Sequence, residues 1–215
     1  GVLATADEST LHAAVLDIVA GYAAGTRHGI RLDHDGLLAA GKPGVQLTWM
    51  DARVGEQVVT PRSGKPVEVQ ALWWNALRCG ARFDPRWEEL AGRVQVAFAR
   101  RFWNEQDGCL FDVVDVDHVA GRVDAQIRPN QLFAVGGLPR SILEGERAVR
   151  VVACCERVLW TPCGPRSLAP GDPDYVERYA GGPVERDLAY HQGTVWPWLA
   201  GAFVEAWVRV RGGSR

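Results

Sequence analysis

The residue of this chain best placed to move a proton is Asp51, in the run Gln46-Leu47-Thr48-Trp49-Met50-Asp51-Ala52-Arg53. A carboxyl flanked by a large ring and apolar neighbours is expected to lose part of its hydration, which favours the protonated form and suits general-acid work. An aspartate after an apolar run also serves as a helix N-cap or as the partner of an arginine, and Arg53 is close by. A second cluster, Tyr190-His191-Gln192-Gly193-Thr194-Val195-Trp196-Pro197-Trp198, sets imidazole and amide donors between ring faces. The same cluster could be a packed turn ahead of a helix. Indole and phenol faces stack on the C–H faces of sugar rings, while carboxylates and amides bind hydroxyls. Of nine tryptophans most are expected in the core, but Trp49, Trp196 and Trp198 fall in loops and ask for another role.

Other chemistries find little support. The chain has no G-x-S-x-G, G-x-G-x-x-G, P-loop or H-E-x-x-H run. Asp112, Asp115, Asp117 and His118 suggest a metal site, but they lack the glycine and the spaced final glutamate of a calcium loop. They are expected to be solvated loop carboxylates, and no metal or cofactor is implied. Five cysteines (Cys79, Cys109, Cys154, Cys155, Cys163) make neither C-x-x-C nor zinc spacing and read as free thiols of a cytoplasmic protein. A net charge of −2 without a basic block makes nucleic acid and anionic membrane poor partners. No apolar run approaches the ~20 residues that span a bilayer. The opening Gly1-Val2-Leu3-Ala4-Thr5, with no charged region ahead of an apolar stretch, does not read as a signal peptide.

With 47% hydrophobic and 23% charged residues the chain can fold around a core. Apolar spacing predicts helices near 11–22, 67–80, 86–103, 142–159 and 197–210. In the first, Leu11, Val15, Ile18, Val19 and Tyr22 form a stripe. The second is apolar almost all round, as on a helix covered from both sides. The third opens on Asp84-Pro85 and has a wet face of Glu88, Glu89, Arg93, Arg100 and Arg101. Ser141 and Glu144 read as a capping box for the fourth. Residues 25–64, 107–128 and 161–192 read as long irregular segments with a functional role, with a short strand at 110–117. A two-sided helix followed by a one-sided one suggests concentric helical layers.

In their order along the chain, several motifs resemble the C-terminal domain of bacterial-type glycogen-debranching enzymes. These are Leu47-Thr48-Trp49-Met50-Asp51-Ala52, Val58-Val59-Thr60-Pro61-Arg62, Gly64-Lys65-Pro66-Val67-Glu68, Arg128-Pro129-Asn130-Gln131, the 168–179 loop with Asp172-Pro173, and the 190–198 run. The resemblance implies an all-α (α/α)6 toroid with long functional loops. It also implies an inverting amylo-α-1,6-glucosidase acting on a branched α-glucan, glycogen or limit dextrin. Inversion needs an acid and a base about 6.5–9.5 Å apart. By resemblance Asp51 is the acid. Trp49, Arg53, Glu68, Trp73, Trp74, Asn75, Arg128, Asn130, Gln131, His191, Gln192 and Trp196 would bind sugar.

Family members also carry an N-terminal β-rich domain, earlier helices, and helices beyond Phe203-Val204-Glu205-Ala206 with the loop where the base is expected. The chain opens on Gly1, has its only methionine at Met50 and stops at Gly212-Gly213-Ser214-Arg215. On this reading residues 1–215 form a partial, incomplete toroid, inactive for want of its base, with Glu185 and Glu205 as fallback bases. The alternatives are another inverting glycosidase on the same toroid (glucoamylase or α-glucosidase type), a non-catalytic carbohydrate-binding remnant, or a helical scaffold without enzymatic function.

Overall fold

Helix α2 (Val67–Gly80) organises the chain, in a computed structural model that describes residues 5–212. Pro66 sets its entry, with φ fixed at −67° and extended ψ, and Glu68 complements the dipole of the first turn. One flank packs against α1 (Thr5–Ala24), another against α3 (Arg86–Arg101), and a third against the 3₁₀ segment Pro129–Ala134. Val67, Ala71 and Leu77 are therefore fully buried, although Leu72 stays half exposed. The wet face of α3 lies as its periodicity predicts except at Arg101, which turns in to Asp35 and Asp115; Trp87, Leu90, Ala91, Val94 and Phe98 are buried, and the Asp84 carboxylate accepts the Arg86 amide at 3.1 Å. The ends Gly1–Ala4 and Gly213–Arg215, where the signal-peptide and termination readings fall, lie outside the described residues.

The chain then repeats one arrangement. A short link, 81–85, turns α2 back into α3, and another, 135–144, turns the 129–134 segment back into α4 (Gly145–Val158). The long connections 102–128 and 159–196 run at the opposite end and lead into 129–134 and into α6 (Ala200–Arg211). Antiparallel packing thus gathers the N-termini of α2, of the 129–134 segment and of the Pro197–Leu199 turn ahead of α6 at one end, among the long loops. Gly136 lets α6 come this close, since a Cβ there would sit 2.3 Å from the Ala206 nitrogen.

Several expectations change. The stripe on α1 is only partly covered: Val19 is buried and Leu11 is exposed, while Ile18 and Tyr22, partly exposed, border an apolar cavity against α2 that Leu72 and Trp73 also line. Ser141 does not cap α4. Its hydroxyl donates to the Val135 carbonyl at 2.6 Å, and α4 starts at Gly145, four residues on. The irregular segments are stitched by two-residue antiparallel strands. The largest set joins Lys65–Pro66, Val113–Val114 and Val123–Asp124, so the fold is helical without being purely α. The expected strand at 110–117 splits, because Cys109–Leu110 pairs instead with Trp103–Asn104. The 161–192 stretch also contains a short helix, α5 (Pro183–Ala189), which packs against the Arg53–Val54 strand.

Candidate active site

At the end where the helix N-termini meet, Trp49 is the centre of an aromatic wall. Its ring stands edge-on to His191 (5.1 Å between centroids), Trp196 (5.7 Å) and Trp198 (5.1 Å), while His191 and Trp196 stack at 5.5 Å. Such edge-to-face contacts stabilise by roughly 0.5–1.5 kcal/mol each beyond area burial, so the wall is held as one unit. Asp51 stands two residues from Trp49 and is exposed, while Met50 and Ala52 on either side of it are buried. The residues that anchor the strand thus point inward and the carboxylate points out.

Beneath the wall lies a buried ionic layer. Arg62 is fully enclosed between two carboxylates: its Nη2 reaches Glu68 Oε2 at 2.6 Å and its Nε reaches Asp112 Oδ2 at 2.6 Å. Burial opposes its charge, but Asp112 and Glu68 more than offset this and hold the guanidinium well above the usual arginine range. Asp112 Oδ1 then accepts the Asn130 amide at 2.8 Å, and Asn130 Oδ1 accepts the Trp49 indole N–H at 2.8 Å. Arg128, buried beside this chain, donates to Gln192 Oε1 (2.6 Å), Gln126 Oε1 (2.7 Å) and the His191 carbonyl (2.7 Å). Gln131 accepts the Leu110 amide and donates to the Arg128 carbonyl. Every buried polar group here has a partner, which is the condition for such a network to hold one geometry.

His191 links the layer to the wall. Its Nδ1 accepts the Ala52 amide at 3.4 Å, so a neutral ring carries its proton on Nε2. Burial pulls its pKa down to about 4, with Arg128 and Arg62 adding to this and Asp51 opposing it. The imidazole is neutral at pH 7. The whole arrangement offers one exposed carboxylate beside a wall of ring faces, over a rigid charged floor, with the neutral imidazole buried between wall and floor.

The sequence profile of the amylo-alpha-1,6-glucosidase family matches residues 3–214, nearly the whole chain. The chain belongs to that family. It is also 28% identical over 209 residues to the glycogen debranching enzyme of Saccharomyces cerevisiae, a match covering 74% of this chain and 13% of that protein. The chain therefore spans a small part of the length of this relative.

Within this amylo-alpha-1,6-glucosidase-family chain, the expected acid and the residues expected to bind sugar divide into three groups. Trp49, Asp51, His191 and Trp196 gather at the wall. Arg128, Asn130, Gln131, Gln192 and Glu68 come to the same end but are buried, so their polar groups hold the floor in place of meeting solvent. The remaining four lie elsewhere. Trp73 is in the core with its indole N–H on the Gly36 carbonyl, and Trp74 is buried beside it. At 1.5 Å per residue they lie roughly 7–9 Å further along α2 than Glu68, below the mouth. Asn75 pins the loop ahead of α4, exchanging hydrogen bonds with the Arg140 backbone. Arg53 turns back onto Glu56 across its own exposed hairpin.

Two corrections concern carboxylates. Asp51 is exposed, so the chain itself does not supply the desolvation expected of it. Asp112 and Asp115 are not solvated but buried, the first against Arg62 and the second against Lys65 and Arg101; only Asp117 is exposed. Among the described residues no cluster of potential ligands is arranged for a metal ion. Arg62 and Asp112 are the members of the site that sequence reasoning missed. Pro61-Arg62 lay inside a recognised motif, but its partner is fifty positions away and nothing local announces the pairing.

Proposed function

We propose that this chain carries the acid half of an inverting α-1,6-glucosidase site for branched α-glucan, with Asp51 as general acid. The observation that supports this most directly is the exposed Asp51 carboxylate beside the wall of Trp49, His191, Trp196 and Trp198. A glucosyl unit laid on the wall would displace water from Asp51, and a desolvated carboxyl favours its protonated form. Asp51 then gives its proton to the glycosidic oxygen as the bond from C1 to that oxygen breaks. Water adds to C1 from the opposite face and loses its proton to a second carboxylate, releasing glucose of inverted configuration. The neutral His191, buried against Trp49 and Trp196, holds those rings beside Asp51.

Of the fallback bases, Glu205 is poorly suited: on α6, its carboxylate is held by Arg209 and by the Gly137 amide of the 135–144 link. Glu185 sits on α5, against the strand that follows Asp51, and is the better candidate within the chain. The alternation of α2 with α3 and of 129–134 with α4 supports reading these elements as successive hairpins of an (α/α)6 toroid.

The deciding experiment follows a limit dextrin by proton NMR in the presence of the 215-residue chain. Glucan binding without glucose release is the result expected of an acid half alone, and no glucan binding would overturn the reading. Initial β-glucose that is lost in Glu185→Gln would instead place the base within the chain, and α-glucose as first product would overturn inversion.

A further inference from the structure

Beside the segment that follows the Arg53–Val58 hairpin lies a separate cavity of about 270 Å³, between residues 59–63, the Val113–Val114 and Val123–Asp124 strands, and Asp174 and Gln192 on either side of α5 in the chain. Three carboxylates (Asp117, Asp124, Asp174) and three guanidiniums (Arg62, Arg122, Arg128) line it, so the lining has no excess of either sign. A phosphate or a divalent cation is matched by such an excess. Hydrocarbon from Val59, Pro61, Val113 and Val116 forms the remainder. Hydrogen-bonding groups of both kinds beside an apolar surface match a pyranose, with hydroxyls around its edge and C–H groups on its faces. Drug-sized ligands occupy about 300–1,000 Å³, so this volume suits one ring and not a chain.

Most polar atoms of the lining are already engaged. Arg62 holds Glu68 and Asp112, Arg128 holds Gln126 and Gln192, Arg122 pairs with Asp117 at 2.8 Å, and Gln126 donates to Asp174 at 3.0 Å. Asp124 differs. Its Oδ1 accepts the Gln126 amide at 2.9 Å, and among the described residues no further hydrogen bond reaches the carboxylate. Burial, with the charge of Asp112 added, raises its pKa above the usual carboxylate range, as for a carboxylate short of donors. Arg128 and Gln192, hydrogen-bonded to each other, belong both to this cavity and to the floor of the aromatic wall.

We infer that this cavity is a second saccharide site, taking a single neutral pyranose unit whose hydroxyls donate to Asp124. The inference rests on the carbohydrate reading above but concerns a place distinct from the Trp49 wall.

The test is a titration of the ¹⁵N-labelled 215-residue chain with glucose, and in parallel with inorganic phosphate and with Ca²⁺. The Arg122, Asp124 and Gln126 amides report the cavity, and the indole N–H signals of Trp49, Trp196 and Trp198 report the wall. Glucose should shift the cavity amides, with affinity falling at least tenfold in Asp124→Ala and less in Asp124→Asn, which keeps an acceptor oxygen. Shifts confined to the indoles would overturn the cavity site and leave the carbohydrate reading standing. Shifts in neither set would overturn both. A larger response of the cavity amides to phosphate or Ca²⁺ than to glucose would also overturn the assignment. The wild-type map decides these outcomes even if Asp124→Ala does not fold.

Discussion

The Trp49 indole N–H donates to Asn130 Oδ1 at 2.8 Å, joining residues 81 positions apart. Through this bond the ionic layer below sets the position of the ring beside Asp51, because Asn130 is itself held by Asp112. Asn130→Ala would leave the indole N–H without a partner and take one of two donors from Asp112 Oδ1, which keeps Arg62, at a cost of about 1–3 kcal/mol. A lower urea midpoint and a red shift in tryptophan emission are expected. An unchanged spectrum would show that the neighbouring rings alone fix Trp49.

Arg62→Met should be more damaging. It abandons two buried carboxylates, Glu68 and Asp112, and breaking a buried pair typically costs about 3–5 kcal/mol. Arg62→Lys should rescue little, since a lysine cannot serve both carboxylates with a planar fork. Chemical denaturation of the two variants checks this. Equal stability of Arg62→Lys and wild type would mean that charge alone matters at this position.

Asp51→Asn should leave the fold intact, as the carboxylate is exposed and its neighbours Met50 and Ala52 do the anchoring. In a preparation that turns over dextrin, hydrolysis of poor leaving groups should slow by ~10²–10⁴, the usual worth of a positioned acid. Glucosyl fluoride, whose leaving group needs little protonation, should lose much less. Parallel rate measurements on the two substrates separate an acid from a residue that merely binds.

Stability should fall in acid in two stages. The first belongs to His191, whose folded pKa of about 4 lies below the ordinary ~6.5. Between these values the unfolded chain binds a proton that the folded chain does not, so stability declines as pH drops through that window. The ring should titrate by NMR near pH 4. Titration near 6.5 would show that it is not enclosed.

The second stage belongs to the cluster in which Lys65 contacts Asp33 (2.7 Å), Asp35 (2.9 Å) and Asp115 (2.9 Å), with Arg101 on the latter two. Burial would raise Asp115, but the Gly121 amide, Arg101 and Lys65 outweigh it and hold the carboxyl at about 2. Asp33 and Asp35 are lowered as well, by Lys65 above all against the opposing effect of burial. A depressed carboxyl contributes fully above its unfolded value of ~3.9 and loses that contribution as pH falls through the folded one. Urea midpoints measured from pH 5 to pH 2 should drop steeply, and less so in Asp115→Asn.

The helices were legible in the sequence because their signals are local. The apolar period of 86–103 and the Asp84-Pro85 start act over a few residues, and the structure places α2 at Val67–Gly80 and α3 at Arg86–Arg101, close to those bounds. The ordered motifs likewise carried the family, since they depend on residue type and order alone. Burial was harder to read. Trp73 and Trp74 follow Glu68 in sequence, but the helical rise carries them below the mouth, and the partly exposed stripe of α1 shows that an apolar face does not guarantee a partner. The division of labour among carboxylates was not legible at all. Asp51 is exposed and Asp112 buried because Arg62, arriving from fifty positions away, neutralises one and not the other. Residue types and spacing determined which chemistry is possible; long-range pairing of buried charges decided which carboxylate is free to perform it.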